Sequence, residues 1–194
     1  MKRLLVLFSI LLLSNIARAD TVVVVGSGAA SGGAACAVEQ TYASGFNAYT
    51  KIQNYGTYGA LKFTVTTGFN VTQIGVFLSR VGSSSGNILV SIYSDGGTDP
   101  GSSIVASATT LDSSTISDVT GTEYTFPLAS TALGTGMSYY AVIDCTGVTG
   151  DGIRYWMDNT SSLDHGDQAS NDGITFSDLN DMQGALKIYS GGCP

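Results

Sequence analysis

The chain has 194 residues and a formal charge of −7, from eight Lys and Arg against fifteen Asp and Glu. Cations this few and this scattered exclude nucleic acid and anionic membrane surfaces as partners, because both require clustered Lys and Arg to displace counterions from phosphates. Only Glu39 and Glu123 are glutamates; the other acids are Asp, mostly beside Gly, Ser, Thr or Asn, which suits turns better than helices.

At the start of the chain, Met1-Lys2-Arg3 is a positive segment and Leu4 to Leu13 is apolar apart from Ser9. Ala17-Arg18-Ala19 then puts small residues at the two positions a signal peptidase reads. Cleavage before Asp20 is expected, so residues 1–19 are read as a signal peptide and the protein as secreted, extracellular or periplasmic. The apolar run is half of the roughly twenty residues a spanning helix needs, so no membrane insertion is expected after cleavage. Loss of Lys2, Arg3 and Arg18 takes the charge from −7 to −10 and leaves Lys51, Lys62, Arg80, Arg154 and Lys187 as the cations.

Residues 20–50 form a low-complexity leader. Val22 to Val25 followed by Gly26 to Gly32 imitates the strand and glycine turn of a dinucleotide-binding fold. The third glycine of that fingerprint falls on Ser31, and no βαβ pattern follows. The segment reads as a flexible leader or a first edge strand, with the folded domain assigned to 51–194.

From Ala60 onward the signal has period two. Ile74, Val76 and Leu78 alternate with Gly75, Phe77 and Ser79, and Ile88, Val90 and Ile92 alternate with Leu89, Ser91 and Tyr93. Both runs predict strands, and the turn chemistry of Gly82 to Gly86 between them predicts a hairpin. Further strands are expected at Leu61 to Thr66, Ile104 to Thr110, Thr122 to Leu128, Met137 to Asp144, Gly152 to Met157 and Ala185 to Tyr189. About eight short strands, many glycines and no helical stripe give an all-β reading: an antiparallel β-sandwich, jelly-roll-like in topology. Of Cys36, Cys145 and Cys193, one pair is expected in an exported protein. Cys36 with Cys193 is preferred because these two flank the patterned region, although three pairings are open.

Little here resembles a catalytic centre. His165 is the single histidine and sits in the polar stretch Asp164-His165-Gly166-Asp167, read as a loop; no Gly-x-Ser-x-Gly elbow is present. Asp144 and Asp158, near strand ends, are the least bland carboxylates for glycoside hydrolysis. No cofactor is required, and calcium is the metal the loops could hold, since hard oxygen donors concentrate in two places. These are Asp95 with Asp99, and Asp164 and Asp167 through Asp172.

The densest binding chemistry is Arg154-Tyr155-Trp156-Met157-Asp158-Asn159. Strand alternation puts Arg154, Trp156 and Asp158 on one face, against Ile153, Tyr155 and Met157 on the other. Arg154, Trp156, Asp158 and Asn159 are therefore the candidate ligand-binding residues, with Trp156 as a platform on which a pyranose could stack. The competing reading places a lone Trp in the core. Tyr42, Tyr49, Tyr55 and Tyr58 make a second aromatic cluster, in a stretch that reads as a loop.

Four stretches together resemble the bacterial choice-of-anchor R domain: Val71 to Arg80, Ser85 to Tyr93 with Asp99 to Ser102, Gly136 to Asp144, and Gly184 to Tyr189. The resemblance spans about Tyr55 to Tyr189 and implies an extracellular jelly-roll-like module without a known catalytic centre. Ser190 to Pro194 departs from the family pattern by carrying no sorting motif. The leading expectation is a secreted, non-catalytic module binding a glycan or other extracellular or surface-protein ligand. A structural extracellular or matrix protein without a small ligand is the alternative, and a glycoside hydrolase comes third.

Overall fold

The computed structural model describes residues 35–41, 48–118 and 121–193, without the side chains of Gln40, Tyr55, residues 158–165, Asn180 and Asp181. The residues read as a signal peptide, the valine and glycine runs that follow them, and Tyr42 lie outside the described residues. The first strands are β1 (Ala37–Thr41), β2 (Ala48–Lys51), β3 (Tyr58–Thr64), β4 (Phe69–Arg80), β5 (Ser84–Ser85), β6 (Asn87–Asp95) and β7 (Pro100–Ala106). They are followed by β8 (Leu111–Asp112), β9 (Thr122–Leu133), β10 (Ser138–Asp144), β11 (Thr149–Gly150), β12 (Ile153–Ser170), β13 (Ser177–Gly184) and β14 (Leu186–Ser190). One helical turn, α1 (Ile52–Tyr55), joins β2 to β3.

The protein is an all-β, antiparallel sandwich. One layer runs β13-β12-β3-β10-β6-β7; in the other, β4 has β9 on one edge, with β14 and the start of β12 on its other edge. The layers share β12, whose Ile153 to Tyr155 pair with β4 and whose Asp167 to Ser170 pair with β3. We call these the β3 layer and the β4 layer. Between them Leu61, Phe63, Ile74, Val76, Leu78, Ile88, Val90, Ile92, Ile143, Tyr155 and Leu186 form one interior, each fully buried. Burying an aliphatic or aromatic side chain of that size stabilises the fold by about 1.5–3 kcal/mol, so this interior carries the architecture.

A strand overlaps each of the eight expected segments, although β7 starts and ends four residues before the expected Ile104 to Thr110, and the described residues hold fourteen strands, twelve in one sheet and two in another, rather than about eight. The additional ones are two-residue ladders (β5, β8, β11) or edge and polar segments (β1, β2, β13), which leave no run of alternating apolar residues to read. Of these, β1 lies within the stretch 20–50 and β2 runs across its end to Lys51; they pair with β14 and β12. β1 is an edge strand with a register shift between Val38 and Gln40, a device that discourages further strand addition.

The hairpin expected between β4 and β6 does not form: β4 pairs with β9, β12 and β14, whereas β6 pairs with β10, β7 and β8. The turn between them carries the chain from one layer to the other, and β5 within it pairs with β11. Turn chemistry specifies a reversal but not which strand receives it. The second correction concerns Asp164 to Asp167, expected as a loop and found inside β12, so His165 occupies a strand position. Interior small and polar residues there replace the apolar alternation that marks a strand.

Cys36 is disulfide-bonded to Cys193, closing β1 onto the chain end after β14. Cys145 is the free thiol; it is buried, and burial first and the neighbouring Asp144 second push its ionisation well above the ordinary thiol range.

Candidate ligand-binding face

Period-two alternation decides which side chains of β12 meet solvent. Ile153, Tyr155 and Met157 are fully buried in the interior, and Arg154 and Trp156 stand on the outer face of the β4 layer, each half-buried. Trp156 is therefore not a core residue. The ladder with β2 sets Tyr49 opposite Trp156 and Lys51 opposite Arg154, so two aromatics and two cations share one side of the strand pair.

The geometry of this patch is specific. The Tyr49 and Trp156 rings lie 5.3 Å apart between centroids and are tilted by 55°, within the range favoured by aromatic pairs. The Arg154 guanidinium carbon sits 4.4 Å above the Tyr49 ring centroid, close enough for a cation–π attraction. The indole N–H of Trp156 donates to Ser79 Oγ at 3.0 Å, which fixes the ring over β4. Gly121 closes against the pyrrole part: a Cβ there would lie 2.5 Å from Trp156 Cδ1. Only part of the indole is thus offered to a ligand, while Tyr49 is 49% exposed and supplies the open ring.

Asp158, two positions beyond Trp156, is opposite Gln183 in the β12–β13 ladder; its side chain and that of Asn159 are not described. Tyr49 was grouped by sequence with Tyr42, Tyr55 and Tyr58, yet the fold separates the describable members, with Tyr58 on β3 in the other layer. No local signal could have joined Tyr49 to Trp156, because the register between strands more than a hundred residues apart is set by the whole sheet.

Farther along the same outer face, Lys187 pairs with Glu123 and lies 5.4 Å from the Phe77 ring centroid. Tyr189 also donates its hydroxyl proton to Glu123, and burial first and that carboxylate second raise its phenol. This neighbouring cluster is internally neutral.

The calcium candidates occupy different settings. Asp95 faces the Lys62 ammonium at 3.3 Å and accepts the Gly97 N–H at 2.9 Å, while the Asp99 carbonyl accepts Gly96 N–H. Asp167 points into the interior, fully buried, and accepts protons from the hydroxyls of Tyr155 at 3.2 Å and Thr50 at 3.4 Å. Asp172 organises the turn after β12 by accepting the N–H groups of Ile174 and Thr175, and these bonds lower its carboxyl below the usual range. The Asp164 side chain is not described. Among the described residues no three His, Cys, Asp or Glu side chains are placed to hold a metal ion.

Asp144, the describable member of the hydrolytic candidates, accepts the backbone and hydroxyl protons of Thr146 at 2.8 and 2.7 Å. Asp158 and His165 have no described side chains. A shallow depression of about 260 Å³ beside the Asp172 turn is lined by Ala169, Ser170, Asn171, Asp172, Thr175 and Ser177, where the Asp172 carboxylate is engaged by its own turn.

Fold and patch together define an antiparallel β-sandwich with an aromatic and cationic patch on one outer sheet face. No protein-family model, curated protein or solved structure matches the chain.

Proposed function

We propose that the protein is a secreted, non-catalytic β-sandwich module that binds a glycan or another extracellular surface ligand through Tyr49, Lys51, Arg154 and Trp156, with Asp158 and Asn159 at its margin. The observation that carries this reading is the outward Tyr49–Trp156 pair with Arg154 laid across it, since aromatic faces bordered by polar groups recognise sugars. Export is supported by the signal-like residues 1–19 and by the Cys36–Cys193 disulfide, which belongs in an oxidising compartment. No described helix is long and apolar enough to cross a membrane. Membership of the choice-of-anchor R family belongs to the same proposal; the resembling stretches fall on β4, β6, β10 and β14, which build both layers. The non-catalytic reading is supported by the engagement of Asp144, one of the two carboxylates singled out for hydrolysis, in a turn of its own. Calcium, if bound, is structural.

Trp156 is the single tryptophan, so its fluorescence reports directly on this face. A panel of soluble polysaccharides is expected to contain at least one that shifts or quenches the emission saturably, with the response lost in Tyr49→Ala. Binding detected calorimetrically that leaves the emission unchanged and survives both Tyr49→Ala and Trp156→Phe would place the ligand elsewhere and end the proposal.

A further inference from the structure

We infer that this face takes an anionic, carboxylate-bearing saccharide, a chain of uronic acid residues, in preference to a neutral one. The inference rests on the glycan reading just proposed and gives it a chemical class.

Its basis is the placement of the cations beyond residue 19. Lys62 is paired with Asp95 and Lys187 with Glu123, and Arg80 donates its Nε proton to the Ile116 carbonyl at 3.2 Å. Lys51 and Arg154 differ from these three. They are register partners on β2 and β12, and among the described residues neither has a carboxylate or a carbonyl as a side-chain partner. Like charges directly opposite on a strand pair repel. A chain with fifteen acids had ample means to neutralise the pair, and none of the described ones does so.

Arg154 is held by stacking on Tyr49, and its Nε is buried without a hydrogen-bond acceptor. Its planar guanidinium therefore spends no donor on an internal carboxylate. Such a fork matches the two oxygens of a carboxylate, and Lys51 adds a second positive charge across the ladder. A uronic acid offers both halves of what this patch can recognise: a carboxylate for the cations and a C–H face for Tyr49 and the open part of Trp156. Asp158 follows two positions along β12; even counting its charge, Lys51 and Arg154 leave the strip net positive.

The test measures binding of the purified protein to polygalacturonate, to its fully methyl-esterified form, to a neutral galactan and to dextran sulfate, by calorimetry and by Trp156 emission. Polygalacturonate is expected to bind at least about tenfold more tightly than the ester. The affinity should fall as salt is raised. Arg154→Gln and Lys51→Gln should each remove most of this preference, and Arg154→Lys should retain part of it. Circular dichroism and thermal unfolding establish that each variant is folded. Equal affinity for polygalacturonate and its ester would overturn the inference while leaving the glycan reading intact, and equal or tighter binding of dextran sulfate would overturn the choice of carboxylate. Failure of every saccharide to bind would sink both.

Discussion

The two outer faces of the sandwich are built from the same kinds of residue and have opposite fates. On the β3 layer, Tyr140 and Val142 are buried with Ala60 and Phe176, and Tyr58 and Tyr93 pack beside them. The turn after β6 folds over this cluster, and the Thr98 carbonyl accepts protons from the Tyr140 hydroxyl and the Gln168 amide. Lys62 lies over the Tyr140 ring and is neutralised by Asp95. On the β4 layer, Tyr49 stays half exposed although Arg154 lies over one face of its ring, and Lys51 and Arg154, unlike the Lys187 farther along, have no acidic partner among the described residues. One strand serves both, since β12 presents Trp156 on the first layer it enters and Gln168 on the second. Aromatics and a cation on a sheet face are thus not in themselves a binding surface. What separates stability from recognition is whether loops cover the rings and whether an acid cancels the charge.

The sharpest way to break that contrast is to truncate one aromatic on each face. Tyr140→Ala should cost about 3–5 kcal/mol, as for other large buried aromatics, read as a lower urea midpoint. Tyr49→Ala should stay within about 1 kcal/mol of the parent and act on ligand binding instead. If the two were equally destabilising, the open face would be a structural one. Gly121→Ala comes next: its methyl group would collide with the Trp156 ring, and overpacking of this kind costs about 1–3 kcal/mol. A shifted Trp156 emission spectrum should accompany the loss; an unchanged spectrum would mean that the indole is not seated against Gly121.

A smaller effect separates the cations. Lys62→Met leaves a mostly covered Asp95 without its partner, and the expected loss is about 1–2 kcal/mol. Lys51→Gln removes a charge that opposes Arg154, so stability should be unchanged or slightly raised, by a few tenths of a kcal/mol. Chemical denaturation of both variants checks the difference in sign. A destabilising Lys51→Gln would reveal an acidic partner for Lys51 and weaken the case for an anionic ligand.

How much of this was legible in the sequence depended on whether a feature was local. Alternation over Ile153 to Met157 separates interior from exterior without any knowledge of the fold, and the placement of Arg154 and Trp156 follows from it. The pairing of Cys36 with Cys193 needed only the idea that chain ends meet in a sandwich. Register was not legible: that Tyr49 meets Trp156 and Lys51 meets Arg154 depends on how β2 docks along β12. Polar strands were not legible either. β13, with the sequence SDLNDMQG, offers no alternation from which to expect a strand, and Asp164 to Asp167 in β12 read as a loop, because Asp, Asn, Ser and Gly dominate both, while pairing with neighbouring strands overrides that propensity.

The least of the expected effects compares one tyrosine from each layer at alkaline pH. Tyr58 on β3 is raised above the ordinary value of 10.0 by burial first and by Asp144 second. Tyr189 on β14 is raised by burial and then by its hydrogen bond to Glu123. A phenol whose pKa is higher in the folded chain holds its proton more tightly there. Its contribution is fully present below the unfolded value and is lost as pH rises through the folded one. Stability should therefore be level below about pH 10 and fall above it. Cys145, whose ordinary value is 9.0, would start the fall earlier, so the measurement belongs in a Cys145→Ala background. In that background Tyr189→Phe should flatten the alkaline slope more than Tyr58→Phe, because Tyr189 alone of the two donates to a carboxylate and loses that bond on ionising. A slope indifferent to Tyr189→Phe would mean that the Glu123 cluster is not held closed in solution, and the neutral part of the β4 layer's outer face would then be as open as the patch around Tyr49.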